Sequence, residues 1–424
     1  MAGSRRYDLV VLGATGFTGQ RIAAEVVASG FKGSWAVAGR SRARLENGVS
    51  QLAVPSGAPV PAVEVADVSD ADSLLKLAQS SRVLISAVGP FRTYGMPVVA
   101  ACISGGCHYL DVCGEPEFIE RVELELGERA REAGVLVVSA LGFDSVPGDI
   151  GAQEAAGLFA APARCTSVES FVSLRSDAKA GLGGNFATYE SAVQGFANAD
   201  RLAALRRQVA KARGKPRLDI PGPRPRHSGW PTYDARLKRW TLPFPGSDAS
   251  VMRRTWVALA AQGRPAAHTS VRFTLQSLFS VFLFVAFGTV FGLLTKFELG
   301  RRLLLRFPRL FSYGVFSRAG PTEAQIRGTW FEYLHVAHGY GRGRPESPGQ
   351  EPDEHRALLV RGPEPGYVAC SIFVTQAAYV ILEDEDKLAG RAGVLTPGTL
   401  LQGTDYVERL RSRGIVVKEV PVPE

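Results

Sequence analysis

Short apolar runs alternate with segments of helical periodicity over the first 150 residues of the chain. The apolar runs predict six strands, at Tyr7–Leu12, Ser34–Ala38, Ala62–Ala66, Val83–Val88, Tyr109–Val112 and Val135–Ala140. Apolar residues at helical spacing predict four helices between them, at Gln20–Ser29, Asp70–Gln79, Pro97–Ser104 and Phe118–Ala133. Strands that alternate with helices are typical of a parallel sheet, and uninterrupted apolar strands indicate that both of its faces are covered.

The regular alternation of predicted strands and helices ends at about Gly151. Thr166–Leu174 alternates as an antiparallel strand does, and Ala197–Lys211 has the spacing of a basic helix. Proline-rich 214–231 and the glycine- and proline-rich stretch 341–355 predict loops. The tail predicts a helix around Tyr406–Arg411 and a strand at Ile415–Val420, which we expect to return to the first sheet.

The least polar stretch is 273–295, which contains no charge and is long enough to span a bilayer as a helix. Arg272 and Lys296 bracket it, and four arginines follow by residue 309. Several Thr, Ser and Gln side chains weaken the prediction of a spanning helix. The alternative is a buried helix or a dimer interface, but length and basic flanks favour contact with a membrane or lipid surface.

Charge is distributed unevenly along the 424 residues, whose formal net charge is +8. Residues 201–310 hold 21 Lys and Arg against 4 Asp and Glu, a net +17, so the remainder carries −9. A basic region beside an apolar segment suits an anionic lipid surface, and no nucleic-acid motif accompanies the charge. The five cysteines form no CxxC pair and match no zinc motif, which favours a reduced intracellular compartment and no metal.

The clearest motif is a glycine-rich turn with the spacing GxxGxxG, formed by Gly13, Ala14, Thr15, Gly16, Phe17, Thr18 and Gly19. A predicted strand ends directly before it and a predicted helix follows, which is the context that a dinucleotide-binding turn requires. Glycines allow the backbone to approach a pyrophosphate, and the helix N-terminus offers free N–H groups to it. The motif therefore predicts a Rossmann-type doubly wound parallel sheet, with Gly13, Thr15, Gly16, Phe17, Thr18 and Gly19 at the cofactor.

The end of the second strand favours NADP over NAD. An acidic residue usually stands there in NAD sites, about 20 residues after the glycines, but this chain has Arg40 and Ser41. An arginine can pair with a 2′-phosphate, although an ordinary solvated basic turn is the alternative. Asp67 could meet the adenine amino group or simply form a turn. Ala87 and Gly89 lie where the fourth strand ends and should border the cofactor.

No catalytic residue can be identified from a sequence motif. None of the eleven tyrosines is followed by Lys four residues later, and neither GxSxG nor HExxH occurs. His335 and His338 lack further ligands nearby. Loops after the later strands supply Tyr94, Asp111, Glu115 and Asp144 as candidate acids or substrate anchors, whereas Asp111 and Asp144 could instead cap helices and fix turns.

These residues also carry a family resemblance. The segments GATGFTGQ, WAVAGRSR, VGPFRTYG, YLDVCGEPEF and GFDSVPGDIG resemble the saccharopine dehydrogenase-like oxidoreductases, animal members in particular, and so do PFPGSDASVMRRT, RFPRLFSYGVFSRAGPTEAQI, GPEPGYVA and AGVLTPGTLL. The resemblance covers nearly the whole chain and extends more weakly to bacterial trans-acting enoyl reductases of glycolipid synthesis. It implies pyrophosphate binding by the three glycines, Arg40 and Ser41 at the adenosine ribose, and association with lipid droplets and membranes.

Two functions are compatible with the sequence. The first is an NADP-dependent oxidoreductase that acts on an apolar or lipid-like substrate at a cytosol-facing droplet or membrane surface; saccharopine is doubtful because of the large apolar insertion. The second is a scaffold or nucleotide-sensing protein at a lipid surface without turnover. For either function we expect a dinucleotide-binding domain at 1–150, an α+β substrate or dimerisation domain at 151–390, which carries the apolar helical segment, and a C-terminal return at 391–424.

Overall fold

The computed structural model describes residues 5–177, 179, 181–214, 216, 218–225, 229–347 and 349–424. Contacts divide the chain into two compact units. The first comprises 1–143, 201–206 and 366–413, and the second comprises 144–200, 207–365 and 414–424. Parts of the predicted loops 214–231 and 341–355 lie outside the described residues.

Residues 7–132 form alternating strands and helices. Their bounds are β1 (Tyr7–Leu12), α1 (Phe17–Ala28), β2 (Trp35–Gly39), α2 (Arg42–Ser50), β3 (Ala62–Val65), α3 (Ala71–Ser80), β4 (Ser81–Ser86), α4 (Phe91–Gly105), β5 (His108–Asp111) and α5 (Pro116–Glu132).

A second series continues the chain. Its elements are β6 (Leu136–Val138), α6 (Val146–Gly157), β7 (Arg164–Ser176), β8 (Gly184–Asn185), α7 (Phe186–Ala197), α8 (Ala199–Arg213), β9 (Thr232–Asp234), β10 (Arg239–Pro243), α9 (Asp248–Ala261), β11 (His268–Leu275), α10 (Leu278–Thr295), α11 (Glu298–Arg306), α12 (Pro308–Phe311), β12 (Phe316–Ser317), α13 (Glu323–Arg327), β13 (Thr329–Tyr340) and β14 (Glu354–Pro363).

The C-terminal part begins with a π-helical turn, Pro365–Ala369, and contains a 3₁₀ turn, Glu385–Leu388. Its other elements are α14 (Cys370–Glu383), β15 (Gly393–Leu395), α15 (Pro397–Leu401), α16 (Tyr406–Ser412) and β16 (Val416–Val420).

The first unit contains a seven-stranded sheet in the order β15-β6-β5-β4-β1-β2-β3, with every neighbouring pair parallel. Val10, Val11, Val83 and Ile85 are fully buried, as expected for central strands with helices on both faces. Chain order reverses between β1 and β4. In such sheets ligands bind outside the carboxyl ends of the strands at this reversal.

The predicted α/β fold class is confirmed, but α2 and the first six residues of α4 were not predicted from the sequence. Arg42–Ser50 has few apolar positions, and Leu45 is its only buried residue within the described chain. The segment therefore shows no apolar stripe. Helix α4 begins at Phe91 rather than at Pro97.

The second unit contains a mixed seven-stranded sheet in the order β16-β14-β13-β7-β11-β10-β9. Strands β7 and β11 are parallel, and its other neighbouring pairs are antiparallel. The expectation for the tail is wrong in one respect, because β16 pairs with β14 in this sheet. It is β15 that joins the first sheet, beside β6.

The uncharged stretch 273–295 is part strand and part helix. Phe273 and Thr274 belong to β11, and the Ser277 hydroxyl caps α10 by accepting a hydrogen bond from the Ser280 amide at 3.1 Å. One face of α10 packs in a cluster with α7 and α11, where Phe291 meets the Tyr189 ring at a centroid distance of 5.8 Å. The other face is exposed, and only 17% of the helix is buried.

Candidate functional site

The glycine-rich turn lies at the reversal of strand order, between the carboxyl end of β1 and the start of α1. Gly13 has a φ of +86°, and a Cβ atom built there would lie 2.8 Å from Cγ2 of Val88. A Cβ on Gly19 would overlap the carbonyl oxygen of Gly13. Both positions therefore exclude side chains: Gly19 because α1 lies so close to the end of β1, and Gly13 because of its positive φ and the chain after β4 beside it.

Gly16 serves a different purpose, since it is exposed and forms the N-cap of α1. A Cβ built on it would meet one described atom within 4 Å, the Gly13 carbonyl oxygen at 3.3 Å. No side chain hydrogen-bonds as a cap at this described helix end. The cap residue Gly16 therefore does not cover the N-terminus of α1. The first N–H groups of the helix lie there, near Thr15, Phe17 and Thr18.

Basic residues surround the turn between β2 and α2. Arg40 is exposed, and the Ser41 hydroxyl caps α2 by accepting a hydrogen bond from the Arg44 amide at 3.4 Å. The Ser41 hydroxyl can still donate its proton to an anion. The first turn of α2 contains Arg42 and Arg44 but no acidic residue. Cations at a helix N-terminus are unfavourable alone, so an anion bound here would relieve that repulsion.

Asp67 follows β3 and stabilises its own turn. Its carboxylate accepts hydrogen bonds from the Ser69 amide at 2.9 Å and hydroxyl at 2.8 Å. These bonds lower the pKa of Asp67, and Arg40 adds a smaller effect in the same direction. On the neighbouring loop, the Ala87 amide donates to the Leu12 carbonyl at 2.8 Å, and Gly89 is exposed.

The three catalytic candidates have different surroundings. Tyr94 lies in the first turn of α4, which follows β4, and 41% of its surface is exposed. Asp111 is fully buried at the end of β5. Its carboxylate accepts hydrogen bonds from the amides of Cys113 and Ala140 and the hydroxyl of Ser139. Asp111 therefore ties the loop after β5 to the loop after β6, the structural role that the sequence left open.

Glu115 is also committed to structure. Its carboxylate accepts hydrogen bonds from the amides of Phe91 at 3.0 Å and Arg92 at 3.1 Å. It thereby caps α4 from a position more than 20 residues later in the chain. The Arg92 guanidinium forms an ion pair with Glu117 at 3.1 Å beside it.

Asp144 belongs to the second unit, where it interacts with a carboxyl that the sequence did not single out. Burial raises the pKa of the Asp144 carboxyl to about 6. Burial, and secondly Asp144, raise the pKa of Asp248 well above its usual range. The Tyr333 hydroxyl donates to Oδ1 of Asp248 at 2.8 Å. Asp248 lies in PFPGSDASVMRRT, one of the segments that carried the family resemblance, but no local pattern marks it.

Neither His335 nor His338 belongs to a metal site within the described part of the chain. His335 is buried, its Nδ1 lies 2.9 Å from the Ser170 hydroxyl, and burial lowers its pKa to about 3. His338 lies 2.8 Å from both Glu169 and His355. Among the residues that the structure describes, no group of three or more His, Cys, Asp or Glu side chains has the arrangement of a metal site.

Comparison with known proteins identifies the class. The model of the saccharopine dehydrogenase NADP binding domain matches residues 9–138. Over the full length, the chain resembles apo saccharopine dehydrogenase (L-Glu forming) of Saccharomyces cerevisiae, with a TM-score of 0.53, 14% identity and coverage of 98% of this chain and 100% of that one. The first unit is an NADP-binding domain of an oxidoreductase family.

Three relatives define the family more closely. A probable mitochondrial saccharopine dehydrogenase-like oxidoreductase of Arabidopsis thaliana is 38% identical, with 96% of this chain and 95% of the relative covered. The human saccharopine dehydrogenase-like oxidoreductase is 35% identical, with 97% and 96% covered. The lipid droplet localized protein of Caenorhabditis elegans is 34% identical, with 97% of each covered. The chain belongs to the saccharopine dehydrogenase-like oxidoreductases, and its likeness includes plant as well as animal members.

The residues at the sheet edge fit NADP. Gly13 and Gly19 leave no room for side chains and so bring backbone to the edge, while Gly16 is exposed at the start of α1. Arg40, Ser41 and the two arginines of the first turn of α2 form a cationic group suited to a phosphate. Arg40 and Ser41 remain predicted contacts of the cofactor, whereas Arg42 and Arg44 had no predicted role because α2 was not predicted from the sequence.

Asp111→Asn should change how stability depends on pH. Burial raises the pKa of the Asp111 carboxyl to about 6, so its stabilising contribution is full below the unfolded value near 4 and is lost as pH rises through 6. Asparagine retains an oxygen acceptor and does not ionise. Between pH 4.5 and 7.5 the stability of the variant, relative to wild type, should rise by on the order of 2–3 kcal/mol.

Thermal unfolding across this pH range measures the effect, and Asp67→Asn is the matched control. The pKa of Asp67 is lowered, so its contribution is present at neutral pH and lost as pH falls. The control difference should therefore stay nearly constant between pH 4.5 and 7.5 and change, in the opposite direction, only below about pH 4. If the difference in stability between Asp111→Asn and wild type is the same at every pH, the Asp111 carboxyl does not have a raised pKa in the folded protein.

Proposed function

We propose that the protein is an NADPH-dependent oxidoreductase that acts on an apolar or lipid-like substrate at an intracellular lipid surface. The observation that carries the proposal is the half-packed helix α10, which exposes a row of large apolar side chains in a chain whose first unit binds NADP. Soluble proteins rarely leave such a patch uncovered unless it meets a partner or a membrane.

The exposed apolar patch consists of residues from α10 and the segment that follows it. Phe279 and Phe282 are 68% and 66% exposed. The other members are Leu278, Leu283, Phe284, Val285, Val290, Leu293, Phe297, Leu299, Phe307, Leu310 and Tyr313. Because the opposite face of α10 packs on Tyr189 and Leu304, the helix is suited to lie in a lipid surface rather than to cross it.

Exposed arginines in the same segment supply the electrostatic part of lipid binding. Arg302, Arg306 and Arg309 follow α10 closely in the chain. Each cation near an anionic surface contributes about 1 kcal/mol to binding. The name of the C. elegans relative, lipid droplet localized protein, supports a droplet surface, whereas the name of the Arabidopsis relative points to mitochondria.

At the cofactor site each side of the dinucleotide has proposed partners. We assign the pyrophosphate to the turn with Gly13, Thr15, Gly16, Phe17, Thr18 and Gly19, and the 2′-phosphate to Arg40 and Ser41. Asp67 borders the adenosine, and Ala87 and Gly89 border the dinucleotide further along the sheet edge. When bound, the nicotinamide supplies or accepts a hydride.

Tyr94 is our proposed proton donor among the three candidates. It is exposed, and its helix starts at the same sheet edge as the glycine-rich turn, whereas Asp111 is saturated with hydrogen bonds inside the sheet. A hydride would reach one carbon of a polarised double bond while the Tyr94 hydroxyl supplies a proton to the other atom. Asp144, with its raised pKa, is the alternative donor.

Arg40→Ala should weaken NADPH binding about 10- to 100-fold, the usual loss for a charge-assisted hydrogen bond, and leave NADH binding within about twofold. Isothermal titration calorimetry with both dinucleotides measures the two affinities. Arg131→Ala removes the same charge from α5, where Arg131 pairs with Glu128 at 2.5 Å, and should change neither affinity. Equal losses of NADPH and NADH in Arg40→Ala would contradict a contact with the 2′-phosphate.

Phe282→Glu should reduce binding to vesicles of anionic phospholipid at least about tenfold, because an apolar side chain is replaced by a charge at the lipid surface. Vesicle co-flotation measures binding. Val60→Glu makes the same kind of change at another side chain, 66% exposed in the first unit, and should leave flotation unchanged. Wild-type protein that fails to float, and instead self-associates through α10, would replace the lipid surface by a dimer interface.

The alternative function is a lipid-surface scaffold or nucleotide sensor without turnover. It is favoured by the commitment of Asp111 and Glu115 to structural hydrogen bonds, which reduces the number of acids available for catalysis. In this case the protein would bind the dinucleotide without catalysing a reaction.

Oxidation of NADPH in the presence of apolar carbonyl and enoyl lipids distinguishes the two functions. We expect consumption of NADPH with at least one lipid class, lost in Gly16→Trp, whose indole would occupy the open space before α1. Tyr94→Phe should reduce turnover while NADPH binding stays unchanged. Binding of NADPH without consumption, over the whole lipid panel, would support the scaffold.

A further inference from the structure

Helix α14 enters the first unit through an uncommon turn. Pro365–Ala369 is a π-helical turn within the segment GPEPGYVA, and it leads directly into α14. Single π-helical turns are rare and are often found at functional sites. The proposed function gives this segment no role, although Tyr367 at its centre is only 3% exposed.

Two side-chain contacts show that α14 and α1 run in the same direction. Tyr367 meets Phe17 edge to face, with ring centroids 4.6 Å apart at 78°. Twelve residues further along each segment, the Tyr379 hydroxyl lies 2.7 Å from the Ser29 hydroxyl. Equal spacing in both segments, about 18 Å along a helix, requires a parallel pair. Tyr367 therefore lies at the end of α1 that carries the glycine-rich turn.

The contact with Tyr367 holds Phe17, the largest side chain of the glycine-rich turn. Phe17 is the first residue of α1, and the Arg21 guanidinium lies 5.7 Å from its ring centroid, in addition to the Tyr367 contact. In the next turn of the same segment, Cys370 Sγ accepts a hydrogen bond from the Phe143 amide at 3.0 Å. The start of α14 thus holds both the loop after β1 and the loop after β6.

We propose that Tyr367 is a positioning residue for the dinucleotide, an inference that rests on the proposed cofactor site. Glycine-rich backbone has much conformational freedom, and each residue that must be ordered on binding weakens affinity. By holding Phe17, Tyr367 keeps the first N–H groups of α1 directed at the pyrophosphate before the ligand arrives. The pyrophosphate is common to NADPH and NADH, so Tyr367 acts equally on both, unlike Arg40.

Tyr367→Leu should therefore weaken NADPH and NADH binding by the same factor, about 3- to 10-fold, as expected for loss of an edge-to-face pair. Tyr367→Phe keeps the ring and should bind both within about twofold of wild type. Titration calorimetry on the full chain gives the affinities, and thermal unfolding of each variant without ligand reports its stability.

Tyr379→Leu is the matched control, since it removes a buried tyrosine from the other end of the same helix pair. It should lower the unfolding temperature while leaving both affinities unchanged. Phe17→Leu tests the same contact from the opposite side, and combining it with Tyr367→Leu should add little further loss, because both changes remove one interaction.

Wild-type affinities in Tyr367→Leu, or an equal loss of affinity in Tyr379→Leu, would overturn the positioning role and leave the proposed function intact. A loss confined to NADPH would also overturn it. Wild-type protein that binds neither dinucleotide would instead overturn the proposed function, and the positioning role with it.

Discussion

The close approach of α1 to the end of β1 is the constraint on which the cofactor site depends. A side chain at Gly19 would overlap the Gly13 carbonyl, and one at Gly13 would press on Val88. With both positions bare, the chain passes from strand to helix in four residues, and the N-terminus of α1 lies at the edge of the sheet where strand order reverses. The basic turn follows β2, which pairs in parallel with β1, so the proposed partners of the pyrophosphate and of the 2′-phosphate follow neighbouring strands at one edge of the sheet.

Buried acids determine which groups are left for chemistry. Asp111 joins the loops after β5 and β6, and Glu115 caps α4, so both carboxylates hold backbone amides in place at the carboxyl edge of the sheet. Both would lose these partners if they took part in proton transfer with a substrate. The same arrangement exposes Tyr94 on a helix whose N-terminus Glu115 secures, and this explains why an exposed phenol, rather than a buried carboxyl, is our preferred donor.

Features encoded by neighbouring residues could be predicted from the sequence, and features that depend on distant partners could not. The strand Tyr7–Leu12 and the turn after it are local patterns, and the structure has the strand at these residues. The start of α4 depends on Glu115, more than 20 residues away, so the pattern around Phe91 gave no sign of it. Likewise β16 can be recognised as a strand from its sequence. That it pairs with β14 and not with the first sheet is decided by tertiary packing. The effect of Asp144 on the pKa of Asp248 also depends on the fold. Helix α2 lacks the apolar stripe by which a helix is recognised in a sequence.

Backbone hydrogen exchange with and without NADPH tests the central claim most directly, because it reports on the amides at the glycine-rich turn themselves. If the dinucleotide binds at the N-terminus of α1, NADPH should slow exchange at Phe17, Thr18 and Gly19 and at Arg40 and Ser41, while the exposed helix α10 is unchanged. Saturating NADPH that leaves exchange at these five amides unaltered, or that protects only the second unit, would contradict the site described above.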